Sequence, residues 1–531
     1  MQLVAVTGSI SPKPILKSRQ SSREYSEHSK TTRPKKNRIH YSLTCNTTNQ
    51  TKRLKCPKNL SLVDHEPQSS SKTCPDYFRW IHEDLRPWKE TGITREMVES
   101  ARRTANFRLV IVNGKPFVEM YKKPFQTRHV FTLWGILQLL KLYPKKLPDL
   151  DLMFDCNDRP AIIKGYYIGP NATVPPPLFS YCADDATLDI VFPDWSFWGW
   201  PEINIKPWDF LLEEIRQGNG KVKWTKREPY AYWKGNPRVA WTRKDLLKCN
   251  VSEKQDWNAR LYAQDWLAEI EKGYKQSNLA DQCIHRYKIY IEGKGWSVSE
   301  KYILTCDSVT LIVRPRYYDM FTRGLVPMQH YWPIKDYDKC RSIKFAVEWG
   351  NSHKKKAKEI GKAASNFIYK NLTMEYVYDY MFHLLSEYAK LLKYQPNKPR
   401  KAIEFCSETM ACTASGLVRK FMEDTMVRTP RDTIPCNLPS PMDPLTWLTV
   451  NKKKEDSVKQ VEMDLSYPDT IVAWAATYPV HPLQSMMPVI SGQAGASEKE
   501  NDVCVEPMAS RKLPRIAHSD IILPGSSDDG A

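Results

Sequence analysis

Between residues 108 and 395, short apolar runs of strand character alternate with stretches of helical spacing, and that alternation commits the chain to an α/β fold with largely parallel sheet. RLVIV-NG-KPFVEMY (108–121) reads as strand, Asn113-Gly114 turn and strand, a strong hairpin signal. VFTLWGILQLLKLY (130–143) has helical apolar spacing, whereas DLDLMFDC (149–156) and TLDIVFPD (187–194) read as buried strands. WDFLLEEIRQG (208–218) predicts an amphipathic helix closed by Gly218. Strands follow at YAYWKG (230–235), YKIYIEG (287–293) and SVTLIV (308–313), with short helices at 243–249 and 300–306 and a chiefly helical stretch over 343–395. The 531 residues exceed one ordinary core, and two such sheets facing a cleft suit the length.

Composition shifts at both ends. Residues 1–73 are polar, basic and Ser/Thr-rich and read as a disordered basic tail or stem; 441–531 is rich in Pro, Ser and Gly and reads as a mostly disordered extension. The net charge of +19 suits an anionic partner, but no zinc finger, RNP motif or basic heptad accompanies it, so nucleic acid is not the expected partner. The 13 cysteines include no CxxC pair, and their dispersal fits disulfides formed in an oxidising compartment; scattered buried thiols are the alternative. Six N-x-S/T sequons, at Asn46, Asn49, Asn59, Asn171, Asn250 and Asn371, point the same way. Against this, no apolar run reaches the roughly 18 residues of a membrane span, and MQLVAVTGSISPKP is too short a patch for a signal segment. Membrane association through an N-terminal anchor not visible in this chain stays open.

Ligands of α/β sheets bind beyond the carboxyl ends of strands. Asp158, in the loop NDRP (157–160) after a strand, either takes a proton from an acceptor hydroxyl or shapes the turn. Trp195, Phe197 and Trp198, within PDWSFWGWPE (193–202), make either a sugar platform or core filler. YWKGNP (232–237), with Arg238 and Arg243 after it, suits a pyrophosphate, as do surface arginines doing nothing more. In GKGWSVSEKYILTC (293–306), Gly293 and Gly295 free the backbone, Ser297 and Ser299 precede a helix, and Lys301 adds charge; a plain N-cap role for Ser299 competes. RPRYYD (314–319) and His330 could line the same cleft. DLD (149–151), the DxD weighed as a cation site, begins a strand, so no metal site is expected, and no cofactor.

CPDYFRWIHEDLRPW (74–88), DLMFDCNDRP (151–160), FPDWSFWGWPE (192–202), YWKGNP (232–237), HRYKIYIEGKGWSVSEKYILTCDS (285–308) and NFIYKNLTMEYVYDYMFHLLSEYAKL (366–391) together resemble the CAP10-domain proteins of glycosyltransferase family 90, in their plant-type flavour. The resemblance spans about 74–435 and includes the Rumi-like protein O-glucosyltransferases. It implies a GT-B-like fold of two Rossmann-type domains facing a cleft: 74–225 the acceptor-side lobe, 226–395 the UDP-sugar-binding lobe, and 396–440 a helical return segment. It also implies a UDP-glucose or UDP-xylose donor, inverting transfer without a metal, a glycoprotein or polysaccharide acceptor, and a Golgi or endoplasmic-reticulum lumen. In that pattern Asp158 is the general base, although Asn157 replaces the usual Arg before it. Trp195, Phe197 and Trp198 meet the acceptor. Lys234, Gly235, Asn236, Arg243, Trp296, Ser297, Ser299 and Lys301 meet the donor, with Lys301 preferred over Ser299 as the match to the family's arginine. The rival functions are a cell-wall polysaccharide xylosyl- or glucosyltransferase and a non-catalytic carbohydrate-binding protein on the same scaffold.

Overall fold

Asn113 and Gly114 both take positive φ, 50° and 72°, as a two-residue type I′ hairpin turn requires. They join β1 (Phe107–Val112) to antiparallel β2 (Lys115–Met120). The structure, a computed structural model of the chain, describes residues 39–45, 55–57, 67–170, 172–275 and 277–466. β1 pairs on its other side, again antiparallel, with β3 (Leu150–Phe154), and β4 (Leu178–Ser180) and β5 (Ile190–Val191) continue the sheet in parallel. All five β3 residues are buried, Asp151 among them. Its charge is matched by Arg108, whose Nε and Nη2 donate to its two oxygens at 2.7 and 2.6 Å. Asp149 accepts from the Asn113 backbone N–H at 2.7 Å, so both aspartates of DLD have structural partners.

The second sheet is wholly parallel: β6 (Glu228–Gly235), β7 (Ala259–Ala263), β8 (His285–Tyr290), β9 (Val309–Val313) and β10 (Trp332–Ile334), in the order β10-β9-β8-β6-β7. Strand order reverses between β6 and β8, so the loops leaving these two strands diverge and open a crevice at their carboxyl ends. A short β11 (Ile403–Glu404) returns to the edge of the first sheet, against β2.

Helices Lys339–Ser352 and Lys354–Asn371 cover the second sheet through Ile343, Val347, Ala357 and Ile360. The helix Met374–Leu391 does not stay with the residues 226–395 to which it was assigned. Val377, Tyr380, Leu384 and Tyr388 put its apolar stripe into the core of the first sheet, and the Tyr388 hydroxyl donates to the Asp151 carbonyl at 2.9 Å. Its many rings find partners there, such as Phe179, 5.0 Å from Tyr388.

Both terminal segments contain described, ordered stretches. The extension after residue 441 begins with a 23-residue helix, Pro444–Ser466, whose Val461 joins the core of the second sheet. Lys335 Nζ donates to the Glu462 carbonyl at 3.1 Å. Residues 467–531 lie outside the described residues. The basic N-terminal stretch is likewise structured in part: Tyr41 is buried, and its N–H donates to the Arg428 carbonyl at 2.7 Å. Disulfides Cys45–Cys412, Cys56–Cys406 and Cys74–Cys436 tie that stretch to the return segment; Cys249–Cys340 and Cys283–Cys306 sit by the second sheet. Covalent ties hold what composition alone leaves free. Cys156 and Cys182 are buried free thiols. Cys504 and the sequons at Asn46, Asn49, Asn59 and Asn171 lie outside the described residues.

Lys288 in β8 is buried beside the Cys306 sulfur, and burial, reinforced by Arg227, pushes its ammonium down to about 7. The unfolded chain holds this proton to higher pH than the folded one, so stability rises as pH increases from 7 towards the ordinary lysine range. Lys288→Met should raise the melting temperature at pH 7 and flatten its increase between pH 7 and 9, as read by thermal denaturation.

Candidate active site

The loop after β3 is held by its own buried carboxylate. Asp155 Oδ1 accepts from the Asn157 backbone N–H at 3.2 Å and its side-chain amide at 2.7 Å, an Asx-turn. Asp189 fixes the loop's exit by accepting the Ala161 and Ile162 N–H groups at 2.9 and 2.8 Å. Burial pushes the Asp189 carboxyl up to about 6 despite these bonds. Asp158 is therefore not the turn-maker of its loop. Its side chain is 37% exposed; Oδ1 accepts from Arg128 Nη1 at 2.8 Å, and Oδ2 accepts no hydrogen bond from the described residues.

Arg128 opens the helix Arg128–Leu142, so the carboxylate lies at the positive end of a 15-residue dipole. That end is capped by Glu202, which accepts the Thr127 N–H and hydroxyl at 2.8 and 3.0 Å. The guanidinium also donates to the Cys156 carbonyl at 3.1 Å and stacks over Trp195, 4.4 Å from the ring centre. Asp158 is thus aimed by a rigid, half-stacked cation.

The loop after β8 comes against this one. A Cβ on Gly295 would fall 1.6 Å from the Asp158 carbonyl oxygen, so only glycine permits the approach. Arg159 Nε reaches across to donate to the Lys294 carbonyl at 2.7 Å. Beside this junction is a cavity of about 360 Å³ at the carboxyl ends of β6, β8, β9 and β10. Its lining carries Arg159, Lys294, Arg314 and Arg316 against two carboxylates, Glu292 and Asp336, a balance that favours an anion.

Arg243 spans the reversal point of the sheet. It donates to the Glu292 and Ile291 carbonyls at 2.9 and 3.1 Å, to the Ser297 hydroxyl at 3.2 Å and to the Asn236 carbonyl at 3.4 Å. It ties the two crevice loops together, and desolvation lowers its proton affinity, opposed in part by the Asp158 charge. Ser297 also bonds Ser299, Oγ to Oγ, at 2.9 Å, and its N–H donates to the Tyr290 hydroxyl at 3.1 Å. Ser299 begins the helix Ser299–Thr305 without capping it. Lys234 and Gly235 end β6, and Asn236 caps the next turn by accepting the Arg238 N–H at 2.8 Å. Trp296 is buried against Trp195 and Tyr181, with ring centres 6.1 and 5.7 Å apart. Lys234, Gly235, Asn236, Arg243, Trp296, Ser297 and Ser299 thus all gather at the β6/β8 crevice.

Lys301 does not join them. Its ammonium is 1% exposed and donates to Asp194 Oδ2 at 2.8 Å, so it has no face for a diphosphate. The helix Ser299–Thr305 turns it inward, onto the loop after β5. The aromatic platform is corrected for a related reason. Trp195, Phe197 and Trp198 are all within 1% of full burial and offer an acceptor no open surface. The Trp198 ring lies on Gly135 of the Arg128–Leu142 helix and donates its N–H to the Tyr378 hydroxyl at 2.9 Å. His330 is also internal, its Nδ1 accepting the Val326 N–H at 3.0 Å. Arg128, Arg159, Glu292 and Lys294 were missed. A position just after a strand was the available signal for Arg159, Glu292 and Lys294; Arg128 left none. Among the described residues, one His/Cys/Asp/Glu group is close enough to share an ion, Cys74, His383 and Cys436, and its cysteines form a disulfide.

A cation-lined crevice at the reversal point of a parallel sheet, beside a loop whose Asp158 keeps one oxygen free of hydrogen bonds from the described residues, marks the class of α/β proteins built to hold an anionic ligand. The sequence comparison narrows the class: the model of glycosyl transferase family 90 matches residues 69–465, and the chain belongs to that family. It is similar to "Protein O-glucosyltransferase 1" of Rattus norvegicus, 27% identical over 353 residues that cover 63% of this chain and 85% of the relative. It is likewise similar to "O-glucosyltransferase rumi" of Drosophila melanogaster, 25% identical over 345 residues, 62% of this chain and 80% of the relative. The chain is a glycosyltransferase.

Two outcomes test the geometry. Lys301→Met leaves Asp194 charged and buried without a counter-ion and should cost about 3–5 kcal/mol of stability in a denaturant titration. Adding Asp194→Asn should recover part of the loss, because no unpaired charge then remains. Gly295→Ala should push the two loops apart and lower glycosyl transfer about a hundredfold, read as released nucleotide.

Proposed function

We propose that this enzyme moves glucose or xylose from a UDP-sugar onto a hydroxyl of a glycoprotein, with inversion at the anomeric carbon and Asp158 as general base. The observation that carries this reading is Asp158 itself: Oδ1 held by Arg128, Oδ2 unengaged, and the loop in contact with the glycine loop of the cation-lined crevice. The cavity of about 360 Å³ is in the range of small-molecule sites. Oδ2 accepts the proton of the acceptor hydroxyl as its oxygen attacks the anomeric carbon. The bond from that carbon to the diphosphate oxygen breaks with its electron pair, leaving UDP. Arg159, Lys294, Arg314 and Arg316 at the cavity, with Arg243 and the backbone amides of the glycine loop, offset the charge that develops. In this reading the two sheets are the two lobes of a GT-B arrangement, and these side chains replace a metal. A protein acceptor accords with the similarity to a protein O-glucosyltransferase. The five disulfides among the described residues and the sequons support a lumen of the endoplasmic reticulum or Golgi. No helix among the described residues is long and apolar enough to cross a membrane.

Asp158→Asn keeps the side chain's shape and removes the base. UDP release in the presence of acceptor should fall by about 10²–10⁴-fold, and UDP affinity measured by calorimetry should be unchanged. Full turnover in that variant would overturn the assignment. Chelation of divalent cations should leave wild-type turnover as it was.

A further inference from the structure

Glu292 is the carboxylate that an anion pocket has no evident use for. It follows β8 directly, lines the cavity among Arg159, Lys294, Arg314 and Arg316, and is half-buried. A group placed to repel a diphosphate needs another reason to be there.

Its bonding is asymmetric. Oε1 accepts two backbone N–H groups from the loop after β9, Arg316 at 3.0 Å and Tyr317 at 2.7 Å. Oε2 accepts no hydrogen bond from the described residues, and no lysine or arginine side chain is paired with the group. The nearby Arg316 gives its Nε to Asp184 at 2.7 Å, with no hydrogen bond to the Glu292 carboxylate from its side chain. The backbone of Glu292 is pinned as well, since its carbonyl accepts Arg243 Nε at 2.9 Å. The carboxylate is therefore held at one oxygen, and the second oxygen of this cavity-lining residue accepts no hydrogen bond from the described residues. Such an oxygen recognises O–H donors and rejects phosphate oxygens, which carry no proton to give. Burial pushes the carboxyl up to about 7 against the two N–H bonds, so it is ionised in mildly alkaline solution.

Resting on the donor-pocket reading above, we propose that Glu292 is a specificity-determining residue that accepts hydrogen bonds through Oε2 from a vicinal diol of the nucleotide-sugar, on its ribose or on the transferred sugar. It orients the donor through its hydroxyls while the four cations hold the charge.

The test is Glu292→Gln, measured by calorimetry at pH 8 with UDP, 2′-deoxy-UDP and UDP-glucose. Gln keeps a carbonyl for the Arg316 and Tyr317 N–H groups, so the loop stays in place; it puts an amide donor where Oε2 was. For a ribose contact, the variant binds UDP and UDP-glucose roughly tenfold or more weakly and 2′-deoxy-UDP as wild type does. For a contact to the transferred sugar, UDP binding is unchanged and UDP-glucose loses the tenfold. Equal losses for UDP and 2′-deoxy-UDP would show a merely structural role, and unchanged binding of all three would show none; either overturns the proposal. A wild type that binds UDP and UDP-glucose, with a variant that matches it on both, refutes this inference alone, whereas a wild type that binds no UDP refutes the donor-pocket reading beneath it.

Discussion

The buried ion pair between Lys301 and Asp194 is the interaction on which the rest of this structure depends. One partner stands on the loop after β5 of the first sheet and the other on the helix after the β8 loop of the second, both almost wholly removed from water. Desolvating two charges is costly, and such a pair persists only where geometry and further hydrogen bonds are good. Here Asp194 Oδ1 also accepts the Ser196 N–H at 2.8 Å, and the Tyr302 hydroxyl donates to Ser196 Oγ at 2.9 Å. Asp194 holds the Lys301 proton above its ordinary range against full burial. The pair has one satisfactory geometry, so it fixes how the strand ends of the two sheets meet.

From that junction the site follows. With the helix Ser299–Thr305 pinned, the glycine loop ahead of it lies against the Asp158 loop, where only Gly295 fits. The charged groups then fall into two kinds. Some are spent on architecture: Arg108 on Asp151, Arg323 on Asp84 at 2.6 Å, Lys301 on Asp194. Others stay in part exposed, such as Asp158 beside the glycine loop and the arginines that line the cavity. An exposed cation is cheap to keep and free to meet a phosphate; a buried one is already answered.

Much of the scaffold was legible in the residues. The Asn113-Gly114 hairpin, the buried run of β3, and β6, β8 and β9 all lie where local pattern puts them, because turn chemistry and apolar period act over a few residues. The placement of Asp158 after β3, and of the 234–236 and 295–299 motifs after β6 and β8, follows from the same strand assignments. Three readings fell short for a shared cause. Trp195, Phe197 and Trp198 look like a platform in one dimension but are packed inward, Trp195 against Tyr181, Phe197 against Trp208 and Trp198 onto Gly135 and Tyr378. Lys301 has the right charge and the wrong direction. The helix Pro444–Ser466 sits in a stretch whose average composition reads as disordered, yet Val461 finds a place in the core of the second sheet.

By itself the sequence determined the kind of elements, their order, the parallel character of the second sheet and the family to which the chain belongs. Each of these depends on neighbours along the chain, on period, turn residues and motif spacing. Only the tertiary structure decided which charges are answered inside the protein and which remain for a ligand: Arg128 meets Asp158 from 30 positions away, and Lys301 meets Asp194 from 107. A side chain's partner is chosen by packing and desolvation across the whole fold, and no local pattern records that choice.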